Sequence, residues 1–134
     1  MKVHSNIVVE SEVNVQHPYL GLSSFHEKHK AYFHGRAQEV NLLKKYVNRS
    51  ALTVFFGKSG LGKSSLLRAG LFPALRKSYK LPIYLRINFS QSRTISPLDQ
   101  IKNELTTSIQ AMDADAPDIE EMSLWEYFHR VKIL

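Results

Sequence analysis

The stretch Leu52-Thr53-Val54-Phe55-Phe56, followed by Gly57-Lys58-Ser59-Gly60-Leu61-Gly62-Lys63-Ser64, decides how the rest of the chain is read. The second part fits G-x-x-x-x-G-K-[ST], the Walker A pattern. A loop that wraps a phosphate turns its backbone N–H groups inward, and Gly57, Gly60 and Gly62 remove the Cβ atoms that would obstruct the turn. Lys63 supplies a point charge for β- and γ-phosphates and is the candidate catalytic residue. Ser64 supplies a hydroxyl for the accompanying Mg²⁺. Ser64-Ser65-Leu66-Leu67-Arg68-Ala69 reads as a helix, whose positive end would face the same anion. The five apolar or β-branched residues before Gly57 read as a buried parallel strand. Strand, glycine loop and helix is the context that the motif requires.

Outward from the loop, charge is unevenly distributed. The net charge is +6, yet Val40 to Leu98 contains no Asp or Glu and eleven Lys or Arg. Asp99 to Glu126 carries eight acids against one Lys. A basic block around a phosphate loop suits a polyanionic ligand. The same block could serve nucleic acid, although Arg76, Lys77 and Lys80 also read as the solvated end of a helix. The chain has 134 residues and 43% hydrophobic content, enough for one core. It has no cysteine, which excludes disulfides and thiolate metal sites. It shows neither a signal-like N-terminus nor an apolar run of spanning length, so a cytoplasmic location is expected.

Residues 1–16 read as a lead-in or linker and 17–134 as one domain. Pro18 and Gly21 mark irregular chain. Ser24 with Glu27 has the spacing of a capping box for a short helix that Gly35 ends. Val40, Leu43 and Val47 place a second helix over 36–49. His26, His29 and His34 invite a metal reading, but their spacing falls short of H-E-x-x-H, and solvated histidines are expected. After the loop, Pro73 predicts a break near 70–72 and a new helix from Pro73. Ile83, Leu85, Ile87 and Phe89 alternate with polar neighbours as a second strand. Helices follow from Pro97 through Met112 and from Met122 to about Val131. The expected fold is therefore α/β: a P-loop NTPase fold with a parallel sheet flanked by helices, two helices preceding the loop strand. It is expected to be incomplete. No apolar run ending in Asp supplies the Walker B carboxylate for Mg²⁺, so the domain reads as truncated before that strand.

Three segments together resemble a known family: His17-Pro18-Tyr19-Leu20-Gly21-Leu22; Tyr32-Phe33-His34-Gly35-Arg36 with Glu39; and the glycine loop continued by Ser65-Leu66-Leu67-Arg68-Ala69-Gly70-Leu71-Phe72-Pro73. They look like the novel STAND NTPase 1 family, signal-transduction ATPases of the AAA-like P-loop class. The resemblance implies ATP or ADP with Mg²⁺ as ligands, and Gly35 and Arg36 against the adenine end. It implies a nucleotide site built from Gly57, Ser59, Gly60, Leu61, Gly62, Lys63, Ser64 and Ser65. It also implies a switch that self-associates in the full-length protein, between effector and repeat sensor domains that this sequence does not contain. Without Walker B carboxylates, binding rather than hydrolysis is expected of this chain. The alternatives are a transporter-type ATPase, against which the helical Gly35-Arg36 lead-in argues, and a basic nucleic-acid-binding module, for which aromatic interleaving is missing.

Overall fold

The computed structural model describes residues 13, 15–18, 20–21, 23–90, 94–113, 115–119 and 121–130. Most of the 1–16 lead-in, Tyr19, Leu22 and the expected helix end at Val131 lie outside the described residues. The chain divides into two compact units, Met1–Pro82 and Ile83–Leu134.

The first unit is built on a short 3-10 helix, Glu27–Tyr32, and helix α1, Ala37–Arg49, separated by Gly35 at φ +78°. That left-handed geometry favours glycine and turns the chain between the two helices. The cap of the first helix is not Ser24. His26 is the N-cap residue, and its N–H donates to Nδ1 of His29 at 3.1 Å. Beyond the glycine loop the chain stays helical from Lys63 to Arg76. It is α over α2, Lys63–Ser65, π over Leu66–Leu71, and α again over α3, Phe72–Arg76. The break expected at Pro73 is thus a change in hydrogen-bond spacing. The Phe72 N–H reaches back to the Leu67 carbonyl, five residues away, and Pro73 follows at the junction where the π segment passes into α3. Leu43, Leu66, Leu71 and Leu75 form the core, with Phe33, Val40, Val47 and Leu67 packed against it.

The second unit holds α4, Pro97–Gln110, and α5, Leu124–Arg130. Ser96 caps α4: its Oγ accepts from the Asp99 N–H at 3.1 Å, and the Asp99 carboxylate accepts from the Ser96 N–H at 3.3 Å. Ser123 and Glu126 repeat the arrangement at α5. Ile109, Ala116, Ile119 and Tyr127 are buried. Replacing Ser96 by alanine is expected to lower stability by about 1 kcal/mol, read as a fall in the urea midpoint at unchanged slope; an unchanged midpoint would show that the box does not hold the helix.

The α/β expectation is overturned. Among the described residues the structure is helical, with no strand and no sheet. The stretch 52–58 has no helical or ladder hydrogen bonding, and Leu52, Val54 and Phe56 are 79%, 74% and 85% exposed. Residues 83–88 keep the alternation in part, with Leu85 and Ile87 half-buried while Arg86 and Asn88 are exposed, but no ladder forms. At Asn88 the Gln100 side chain stands where a neighbouring strand would: its Oε1 accepts from the Asn88 N–H at 2.8 Å and its Nε2 donates to the Asn88 carbonyl at 3.2 Å. Apolar runs and period-2 patterns report what a segment would bury. A sheet also needs a partner backbone within ladder distance, and neither segment has one. No helix among the described residues is long and apolar enough to cross a membrane.

Candidate functional site

The glycine loop connects the exposed segment before Gly57 to the start of α2. Gly60 and Gly62 adopt φ +81° and +69°, the left-handed region where a side chain would be strained. Ser59 and Gly60 form the turn, Leu61 is 57% exposed, and the loop faces solvent. Among the described residues none accepts a hydrogen bond from the backbone N–H groups of Ser59 or Gly60. Those two donors are open to water, or to an anion.

Lys63 folds back across the loop. Its ammonium donates to the Gly57 carbonyl at 2.8 Å and to the Lys58 carbonyl at 2.6 Å. Two of its three donors therefore close the loop on itself, and the charge sits over the turn. A Cβ on Gly57 would lie 3.6 Å from Leu61 Cδ1 and 3.9 Å from Lys63 Cδ, ordinary contact distances. So Gly57 is not required here by local crowding, whereas Gly60 and Gly62 are required by their backbone angles.

Arg36 joins this group from the start of α1. A Cβ on Gly62 would lie 3.9 Å from Arg36 Nη1, so the guanidinium stands beside the loop. Its Nε donates to Glu39 Oε1 at 2.6 Å, which fixes its orientation. A backbone N–H at the head of α1, and then Arg36 itself, hold the Glu39 carboxyl below the ordinary carboxylate range. The arrangement is a fixed cation beside a loop of unpaired N–H donors. Gly35 is exposed and serves the turn into α1.

Ser64 is half-buried, and Ser65 is buried, with its Oγ accepting from the Phe25 N–H at 3.0 Å. Of the residues expected at the site, the structure thus gathers Gly57, Ser59, Gly60, Leu61, Gly62, Lys63, Ser64 and Arg36 about one loop. Ser65 instead ties the loop helix to the segment before it. The ties from that segment to the loop helix were missed. His26 Nδ1 lies 2.9 Å from Arg68 Nη2, and Glu27 accepts from Arg76 Nε and Nη2 at 2.9 and 3.1 Å. The expectation of solvated histidines fails for His29, which is buried, and holds for His34, which is exposed. These partners are 40 or more residues apart in sequence, with no motif to link them.

A separate recess of about 250 Å³ lies beside the start of α4, lined by Thr94, Ile95, Asp99, Lys102 and Asn103. It carries both signs of charge and no loop residue. No group of three or more His, Asp or Glu among the described residues is placed to hold a metal ion.

The family model described as Novel STAND NTPase 1 matches residues 18–130. No curated protein and no solved structure matches significantly.

Proposed function

The chain belongs to the Novel STAND NTPase 1 family, and from that footing we propose that residues 57–64 bind the phosphates of ATP or ADP as part of a signalling switch. The observation that carries the reading is the loop itself: left-handed Gly60 and Gly62, the unpaired Ser59 and Gly60 N–H groups at the turn, and Lys63 at the head of a helix. In this reading the backbone of Ser59 to Lys63 cradles the phosphates. The Lys63 ammonium leaves the Gly57 and Lys58 carbonyls and moves onto the β- and γ-phosphates. Arg36 is within reach of a nucleotide seated beside Gly62, with Gly35 giving α1 its approach.

The donor set fits a nucleotide, since it is made of N–H groups and two permanent cations. It fits Mg²⁺ through one protein ligand, the half-buried Ser64 hydroxyl, because this cation keeps several waters and takes phosphate oxygens. When bound, Mg²⁺ neutralises phosphate charge. The proposal is binding, without turnover by this chain.

Titration calorimetry tests it. Saturable binding of Mg·ATP is expected, with Mg·ADP also bound and adenosine giving no measurable heat. Absence of heat with every nucleotide, or equal heat with a single-stranded oligonucleotide that competes with ATP, would remove the assignment.

A further inference from the structure

Residues 25–32 hold the loop helix by three polar ties. The Phe25 N–H donates to the buried Ser65 Oγ at 3.0 Å, Arg68 meets His26 Nδ1 at 2.9 Å, and Arg76 grips Glu27 through two hydrogen bonds. On the helix the three ties fall at Ser65, Arg68 and Arg76, all after Lys63 and Ser64. Only one of the three ties depends on a group that titrates near neutrality.

Arginine is a donor at every accessible pH. Its contact with His26 Nδ1 therefore requires a lone pair on that nitrogen, so His26 must be neutral with its proton on Nε2. The next residue in the chain of contacts obeys the same rule. His29 Nδ1 accepts from the His26 backbone N–H at 3.1 Å, which fixes the neutral Nε2–H form there too. Protonating His26 sets an N–H against an N–H and one positive charge against another. Glu27 on the same turn is engaged by Arg76, while Lys28, Lys30 and Arg68 are cationic.

We propose that His26 is a positioning residue for the nucleotide loop, acting through Arg68 and through the Phe25–Ser65 tie, and that its protonation loosens the loop helix and weakens nucleotide retention. The part concerning nucleotide rests on the reading proposed above; the clasp itself does not. The sign follows from the contact. The clasp holds while His26 is neutral and is lost as pH falls and the imidazole takes up a proton.

Three measurements on the whole chain test this. Nitrogen NMR at pH 7.5 reads the His26 tautomer, expected as Nε2–H; an Nδ1–H tautomer overturns the proposal whether or not ATP binds. Mg·ATP affinity is then followed from pH 8 to 5.5 in the wild type, His26→Asn and His29→Asn. Asparagine places Oδ1 near the Nδ1 position and cannot take up a proton. Relative to His26→Asn, which also corrects for titration of the nucleotide, wild-type affinity is expected to fall about tenfold, the order of losing one hydrogen bond to a charged group. An identical fall in His26→Asn, or its disappearance only in His29→Asn, overturns the proposal. Arg68→Met guards against a misfolded His26 variant, because it should also abolish the excess pH dependence. If the wild type binds no nucleotide, the proposed function fails and thermal unfolding decides the clasp. Its midpoint should drop further between pH 7.5 and 5.5 in the wild type than in His26→Asn, and equal drops would overturn it.

Discussion

Alanine in place of Lys63 is expected to weaken Mg·ATP binding by about 100-fold or more, because it removes a charge-assisted contact to the phosphates worth roughly 2–5 kcal/mol when one partner is truncated. The same change should leave folding nearly untouched. Among the described residues Lys63 bonds to the Gly57 and Lys58 carbonyls, which are exposed and can turn to water. Loss of affinity with an unaltered thermal midpoint therefore separates a ligand-binding lysine from one that merely closes its own loop. Arginine at this position should restore only part of the affinity, since a planar fork does not replace a compact ammonium in a tight loop. A dissociation constant within threefold of the wild type would sink the assignment.

The largest stability effect is expected at Gly70. A Cβ built there would lie 2.5 Å from Val40 Cγ2 and 3.1 Å from Phe33 Cε1. Gly70 sits in the π segment of the loop helix where α1 crosses it, beside core residues Leu66 and Leu71. Glycine in a helix ordinarily costs about 1 kcal/mol against alanine, so a helix exposed at this point would be stabilised by Gly70→Ala. Here the added methyl meets packed side chains, and overpacking of this kind costs about 1–3 kcal/mol. The expected net result is destabilisation by Gly70→Ala, more by Gly70→Val, with partial recovery when Val40→Ala is combined with Gly70→Ala, because the two positions touch. Thermal unfolding of the four proteins reads this out, and a Gly70→Ala chain as stable as the wild type would show that the crossing is looser than its geometry.

Much of the local structure was legible before any coordinates. The alternation of Val40, Leu43 and Val47 located α1 because a helix buries one stripe, and Leu43 is the buried centre of that stripe. Pro97 marked the start of α4, where a missing N–H is harmless. The family was readable too, from Gly35-Arg36, the glycine loop and the residues after it. The sheet was not. Leu52 to Phe56 has the composition of a buried strand and is exposed, since composition states a preference for burial without naming what would cover it.

For the site, sequence alone determined the loop. The positive φ of Gly60 and Gly62 and the place of Lys63 at a helix start are local consequences of which residues follow one another. Tertiary structure decided what surrounds that loop. It set Arg36 beside Gly62, turned Ser65 toward Phe25, and made His26 and Arg68 partners across 42 residues. Such contacts depend on how helices cross, here at Gly70 against Val40, and a crossing is the summed outcome of packing that no short stretch of sequence records.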